Sequence, residues 1–483
     1  MKKVFLLLLL GVLVLTGCEG LVTPTNPNET NTNPLESTEP TVVEPTCLIC
    51  RNHPQAEKIT YSDLTTFSPT TFDANSIAKN EKILCKGVTQ TTWSFTKNNG
   101  TTSNVITTEV DLNLASIAAG TYENQISSLT LSTIYNHALY YELYNPDYMV
   151  VAATNADYFG GAKPVNAFVK DSQIVKNAHN DNGVYDYTNT QADLPASMPM
   201  LFGVSGNVAQ IAPMIQNASV QDTVKAKLSY KLELLRGETS SVITDKVVIN
   251  KHNEKQNINI VYDYSMQASA YENSLVLKLK RHDYDSSRIH GEIIAIEQAT
   301  AYTTYPVTVD EYYIIVPASL NITDFQEGDI LTYYITSPDD TWKYYDTIIG
   351  CRHALVINGE IPATLAKEYM NGAKTTNVPR TSIGVMPNGN VVIFSVESLR
   401  YGKHSNSDTD PYGLNLTELA EFMRYYGVYS GANFDGGGST QLITRNFETN
   451  EFEVTVRSSD YGTYVLDNSR GVINSILVTT KID

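Results

Sequence analysis

The chain has 483 residues and a formal net charge of −18. That acidity argues against nucleic acid as a partner and against attachment to anionic lipid through charge, so an anionic substrate would need a local positive island. The 31 tyrosines, with abundant Asn and Thr, fit a β-rich, exported, glycan-facing protein.

The first residues, Met1-Lys2-Lys3, precede an apolar run from Val4 to Leu15 and then Thr16-Gly17-Cys18. A basic start and a short apolar stretch read as an export signal; the run is too short to cross a bilayer as a mature helix. Leu15-Thr16-Gly17-Cys18 resembles a bacterial lipobox, which implies cleavage before Cys18 and lipid attachment there. The alternative is a plain signal peptide with an incidental cysteine. Residues 1–17 are thus expected to be a lipoprotein signal peptide, and the exported chain a lipid-anchored protein on the outer face of the cell membrane. Residues 18–55 begin with the lipidated cysteine and continue as a tether rich in Pro, Thr, Asn and Glu. Such a composition buries too little apolar surface to fold. Residues 56–86 form an N-terminal extension, and 87–483 the main domain, with 209–342 as a β-rich middle part or insertion.

With Cys18 lipidated, Cys47, Cys50, Cys85 and Cys351 remain, an even number that suggests disulfides in an exported chain. Cys47-Leu48-Ile49-Cys50 with His53 is open to a second reading as half a zinc site, although no second CxxC pair exists. Two hairpins are expected. Val88 to Thr96 and Asn104 to Leu114 flank Asn98-Asn99-Gly100, and Thr381 to Val396 encloses Pro387-Asn388-Gly389-Asn390. Asn145-Pro146-Asp147 reads as a turn feeding a buried strand, Met149 to Thr154.

In the middle part, strand-like runs (Leu275 to Leu279, Ile293 to Ile296, Tyr312 to Pro317) alternate with polar turns. Lys246 to Asn259 reads as an exposed strand pair or loop. One helix is well specified. Asn415 and Glu418 have capping-box spacing. Leu416, Leu419, Ala420, Met423 and Tyr426 share a face, and Gly427 provides the stop. The fold class expected is α+β: a large mixed, mostly antiparallel β-sheet core with packed helices.

That helix leads through a short strand into Asn433-Phe434-Asp435-Gly436-Gly437-Gly438-Ser439-Thr440. Three glycines are costly to order, and a fold keeps them where backbone must turn through positive φ or approach a ligand closely. A plain Asp-Gly turn between strands is the alternative. Other polar clusters stand at expected strand ends: Asn155-Ala156-Asp157-Tyr158-Phe159, Arg380-Thr381-Ser382-Ile383-Gly384, Glu397-Ser398-Leu399-Arg400, and Arg470-Gly471-Val472-Ile473-Asn474.

Taken in order, these clusters resemble the phosphodiester glycosidase family from about Gly87 to the end. Departures fall at Glu397-Ser398-Leu399, where the family usually carries Asp-Gly-Arg and this chain has Arg400 one place late. A second departure is Pro411-Tyr412-Gly413 in place of Ser-x-Gly. The resemblance implies cleavage of the anomeric C–O bond of a sugar-1-phosphodiester, with release of a phosphate monoester. Such a leaving group is good, so the demand for a general acid falls.

The remaining needs are a carboxylate near the anomeric carbon and cations for the phosphate. Asp435 is the expected catalytic carboxylate, with Glu397 and Asp157 as candidates for its partner. Asp157 is also open to reading as a cap on the Gly160-Gly161 turn, and Glu397 as a solvated strand-end charge. Arg380 and Arg470 suit the phosphate. The N–H groups of Gly436, Gly437 and Gly438 are expected to form an anion nest. Asn155 and Asn433 suit sugar hydroxyls or the orientation of a carboxylate, and Thr381, Ser439 and Thr440 complete the substrate-binding set. No cofactor is required by this chemistry, although Asp157 and Asp435 leave a Ca²⁺ or Mg²⁺ site open. His353 reads as structural. Two other functions remain open: a non-catalytic glycan-binding lipoprotein, and a metal-dependent phosphoesterase.

Overall fold

The computed structural model describes residues 56–122, 129–179, 184–186, 200–216, 223–237, 239–263, 265–282, 290–352, 354–362, 365, 376–397, 412–456, 460, 466 and 469–482. The lipobox, Cys47, Cys50, His53, His353, Ser398, Leu399, Arg400 and Pro411 lie outside the described residues.

Both expected hairpins form. Val88–Thr96 pairs antiparallel with Thr102–Val110, and Gly100 takes a φ of 82° in the connecting turn. Arg380–Val385 pairs with Val391–Val396 around Gly389, whose φ of 89° only glycine adopts readily. The two hairpins join through Thr102–Val110 and Val391–Val396. They build a seven-stranded sheet in the order 78–85, 88–96, 102–110, 391–396, 380–385, 430–433, 354–356.

Strands 380–385 and 391–396 are buried at every residue. The cause is cover on both faces. On one face the helix Leu416–Tyr426 packs Leu419, Phe422 and Met423 against Phe95, Val392 and Phe394. On the other, Val110, Ile383 and Ile393 meet side chains from two five-stranded sheets.

The first of these sheets has the order 451–456, 442–446, 148–155, 475–481, 116–120. Its outer face carries a second helix, Ile134–Tyr144, through Ile134 and Ala138. The second runs 208–213, 200–205, 347–350, 168–170, 173–176. A separate eight-stranded sheet, built from residues 229–336, has its own apolar core around Leu277, Ile314 and Tyr333. Within it, Val247–Ile249 and Ile258–Val261 pair in parallel; this is where the sequence left a strand pair or loop.

The expectation of an α+β fold with packed helices is corrected. Among the described residues, strands take up 49% and helices 9%, so the class is β-rich. Among the described residues there are two α-helices, of eleven residues each. The physical reason lies in the runs rich in Val, Ile, Tyr and Thr between 145 and 415, which supply strands that cover one another and leave little for helices to bury. A disulfide reading is also corrected for two positions: Cys85 and Cys351 are free thiols. Cys351 is fully buried inside the core, where burial pushes its thiol well up and leaves it unreactive.

The Leu416–Tyr426 helix forms as its caps dictate. The Asn415 side chain accepts from the Glu418 N–H at 2.9 Å, the Asn415 N–H donates to Glu418 Oε2 at 3.0 Å, and Gly427 ends the helix at a φ of 107°. Its outer side is covered by the N-terminal extension. Buried Glu421 accepts the N–H groups of Thr70 and Thr71 at 2.7 and 2.8 Å, and Arg424 donates to the Thr65 carbonyl at 2.8 Å. The helix therefore acts as a clamped backing plate for the strand that carries Asn433 and for the glycine loop beyond it.

Candidate active site

The glycine loop is reached from the last strand but one of the seven-stranded sheet. Ser430–Asn433 pairs with Arg380–Val385, bringing Ser382 opposite Asn433. The five-stranded sheet closes the other side, with Asn155 opposite Ser475. Asp435 lies where the two sheets meet.

Asn155 is the fastener. It is fully buried, and its amide donates to the Asp435 carbonyl at 2.7 Å. Its Oδ1 accepts from the Thr381 hydroxyl at 2.8 Å and from the Gln441 N–H at 3.3 Å. The Asp435 N–H donates to the Ala156 carbonyl at 3.0 Å, and the Phe434 N–H to the Thr381 carbonyl at 2.8 Å. Asn155, read from sequence as a sugar ligand or as the orienter of a carboxylate, and Thr381, read as substrate-binding, thus spend their side chains on each other and on the loop.

The loop itself departs from the expected anion nest. The Gly436 N–H turns back to Asp435 Oδ1 at 3.0 Å, and the Gly437 N–H donates to the Pro379 carbonyl at 2.8 Å. Residues Gly437–Ser439 form one 3₁₀ turn. The Asp460 carboxylate packs directly on Gly438, at a place where any Cβ would collide with it. Gly438 is therefore the glycine that close approach requires, and the group it admits is a carboxylate of the same chain.

Asp460 was missed by sequence reasoning, because it sits in no motif. It forms an ion pair with Arg470, which also donates to the Ser439 hydroxyl at 3.3 Å. Burial raises the Asp435 carboxyl above its ordinary value. The Ser439 hydroxyl, the Gly436 N–H and the Arg470 charge pull it back, and the Asp460 charge pushes it up further. Asp435, Asp460, Arg470 and Ser439 thus form one electrostatic unit.

Tyr158 and Arg352 are two further residues that the sequence did not single out. Asn433 donates to the Tyr158 hydroxyl at 2.7 Å and to the Phe434 carbonyl at 2.6 Å. Burial raises the Tyr158 phenol, which feels Asp435, Arg380 and Arg352 as charged neighbours. The Arg352 guanidinium stands 5.8 Å from the Tyr158 ring centre. The signal for Arg352 was its place just after the Thr347–Gly350 strand.

Arg380 is buried, and two of its donors are spent on main chain: Nε on the Leu414 carbonyl at 3.1 Å and Nη2 on the Thr376 carbonyl at 3.2 Å. The bidentate phosphate fork expected for Arg380 is replaced by a brace whose charge is felt at Asp435 and Tyr158. Arg470, with its side chain 38% exposed, is the more open of the two arginines.

Asp157 turns away from Asp435. Its carboxylate accepts the Asn166 N–H at 2.9 Å and the Asn166 side-chain amide, while Asn166 Oδ1 meets His179 Nδ1 at 2.6 Å. Neither the partner-carboxylate role nor the cap on Gly160-Gly161 describes this arrangement; Asp157 holds the 157–166 loop closed. Burial pushes its carboxyl up to about 8. A group raised this way contributes stability that is complete below its ordinary 3.8 and lost as pH climbs through about 8. Asp157→Asn is expected to remove that slope. By calorimetry, the wild-type Tm should fall relative to the variant's between those limits; parallel curves would show that the carboxyl is not protonated in the fold.

Glu397 follows Val396, which pairs with Arg380, and its N–H donates to the Asn104 carbonyl at 3.1 Å. The acidic neighbour that Asp435 feels is Asp460. Among the described residues, no group of three or more His, Cys, Asp or Glu converges as a metal-ligating set.

Asn433 Oδ1, Thr440 Oγ1 and Asn474 Nδ2 are buried with no hydrogen-bond partner among the described residues. Native folds rarely leave such groups unmet, so each is a candidate contact for a ligand or ordered water.

Residues 290–479 match the phosphodiester glycosidase family. The match contains Arg380, Asp435, Asp460 and Arg470 and begins inside the eight-stranded sheet, so it is narrower than the resemblance drawn from Gly87 onward. The mouse N-acetylglucosamine-1-phosphodiester alpha-N-acetylglucosaminidase is 36% identical over 130 residues, covering 24% of this chain and 23% of that protein. The human protein of the same name is 29% identical over 130 residues, covering 24% of each. The chain thus spans about a quarter of the length of these relatives. Among solved structures, a hypothetical protein from Synechocystis aligns over 84% of this chain and 64% of its own, at 14% identity and a TM-score of 0.43. The zebrafish N-acetylglucosamine-1-phosphodiester alpha-N-acetylglucosaminidase catalytic domain, auto-inhibited by its pro-peptide, aligns over 89% and 90% at 13% identity and a TM-score of 0.40.

Proposed function

We propose that this protein hydrolyses the anomeric C–O bond of a sugar-1-phosphodiester carried on a glycan or glycopolymer. The observation that carries the reading is the Asp435–Asp460–Arg470 unit. Two carboxylates at one site are what glycosidic cleavage uses, and a guanidinium beside them suits a phosphate. In the proposed step, Asp435 takes a proton from water as the water oxygen bonds to the anomeric carbon. The C–O bond breaks, and its electron pair leaves with the phosphate oxygen. Arg470, with Arg352 nearby, holds that charge. Asn433, Thr440 and Asn474 take sugar hydroxyls.

Hydrolysis in ¹⁸O-water tests the reading. The label is expected on the released sugar; label on phosphate would instead support the metal-dependent phosphoesterase. Binding of sugar-1-phosphodiesters without turnover would support a glycan-binding lipoprotein.

The Leu15–Cys18 motif supports a second part of the proposal: export, lipidation at Cys18, and a tether that holds the enzyme at the outer face of the membrane. Cys18→Ala is expected to move the protein from the membrane fraction to the medium. Membrane retention of that variant would remove the anchor.

A further inference from the structure

A cavity of about 90 Å³ opens at the edge of the 116–120 strand, lined by residues that take no part in the glycine loop. Tyr140, Tyr141 and Tyr144 of the Ile134–Tyr144 helix form one wall; Thr121, Lys170 and Asp171 are among the residues that line the rest. The aromatic wall continues outside it. Tyr122 and Tyr140 have ring centres 5.8 Å apart, and Tyr140 and Tyr144 4.7 Å apart. Tyr122 is 40% exposed and Tyr144 53%. Tyrosines this exposed have no folding reason to gather, and the helix is not patterned to hide them: Leu139 and Leu143 also face out.

The polar floor is balanced in charge. Lys170 Nζ donates to the Thr121 hydroxyl at 3.2 Å and lies 3.9 Å from the Asp171 carboxylate. Asp171 and Ser172 form a two-residue turn between Phe168–Lys170 and Gln173–Lys176 with φ of 49° and 57°. Such a turn normally calls for Asn-Gly. Here the Ser172 N–H and hydroxyl fix it to Asp346, both at 2.8 Å.

A ligand for this cavity needs an apolar face for the rings, and donors and acceptors on its edge for Lys170, Asp171 and Thr121. Because the lysine is already neutralised, it should carry no charge. A neutral pyranose meets all three demands: C–H groups cover its faces and hydroxyls ring its edge. The cavity takes one edge of such a ring, and the exposed tyrosines cover the remainder. We propose that it is a second carbohydrate subsite, for a neutral sugar unit of the glycan. The ligand class rests on the glycan reading above, whereas binding here needs no turnover.

Saturation-transfer NMR on the whole protein with N-acetylglucosamine, glucose and galactose tests this. Transfer is expected to the ring protons of at least one sugar. It should persist in Asp435→Asn and weaken about fivefold in affinity in Tyr144→Ser, the scale of one lost aromatic contact. Tyr144 is exposed, so its variant keeps the fold; Tyr140→Ala serves as the second variant. No transfer from any of the three sugars overturns the proposal, as does transfer unchanged in both tyrosine variants or abolished by Asp435→Asn. Binding without phosphodiester hydrolysis would leave the subsite standing and remove the enzyme. Hydrolysis without binding here would do the reverse.

Discussion

Asp435→Asn is expected to lower kcat on a sugar-1-phosphodiester by about 10³-fold or more while leaving the fold intact. The fold survives because Asp435 is held by its main chain: its N–H on the Ala156 carbonyl and its carbonyl on the Asn155 amide. The side chain's own contacts are the Gly436 N–H and the Ser439 hydroxyl. An asparagine oxygen serves the first equally well. Burial already disfavours the charged carboxylate, so a neutral amide relieves a cost, and Tm is expected at or above the wild-type value. What the amide cannot do is accept a proton or meet positive charge at the anomeric carbon. A kcat within about threefold of wild type, at unchanged Tm, would remove Asp435 from the mechanism.

Asp460→Asn separates a working neighbour from a structural one. The Asp460 charge raises the Asp435 carboxyl, so its removal is expected to move the acid limb of the kcat/KM profile to lower pH. A reduced rate with an unmoved limb would assign Asp460 to loop packing alone.

Local chemistry made part of this site legible in the sequence. The Asn415–Glu418 box and Gly427 fixed a helix, Gly389 a hairpin, and the run Val428 to Phe434 the approach to Asp435. Each rests on contacts within a few residues, so each was open to reading. The helix Ile134–Tyr144 was not, because it exposes Leu139 and Leu143 and so lacks an apolar stripe; only its Thr133 cap, accepting from the Asn136 N–H at 3.2 Å, marks it locally. The division of labour among the polar residues was equally hidden. Asp157 and Asp435 both follow strands and both precede glycines, yet one turns to Asn166 and the other to Ser439 and Arg470. Asp460 is brought to Gly438 across the chain, and no spacing encodes that. Residue type and motif identified Asp157, Asp435, Arg380 and Arg470, while register between two sheets decided which of them meet.

That register has a single point of failure. Asn155→Ala is expected to cost about 3–5 kcal/mol, among the largest single losses available near this site. Three partners would be stranded in the interior: the Asp435 carbonyl, the Thr381 hydroxyl and the Gln441 N–H. Each buried polar group left unmet costs about 1–3 kcal/mol, and the three are coupled, so their sum is an upper limit. Activity should fall with stability, for a reason tied to the glycines. A Gly-Gly-Gly segment has no side chains with which to hold its own shape. Its geometry is imposed from both sides, by Asn155 at Asp435 and by the Pro379 carbonyl at the Gly437 N–H. Without the first pin, the Asp435 carboxylate loses its fixed position against Arg470 even in molecules that remain folded. Urea titration should therefore show a lower midpoint at unchanged slope, and kcat should drop about 10²-fold under conditions where the variant is fully folded. A loss under about 1 kcal/mol with normal kcat would mean that water replaces the amide, and that the glycine loop keeps its shape without the strand beside it.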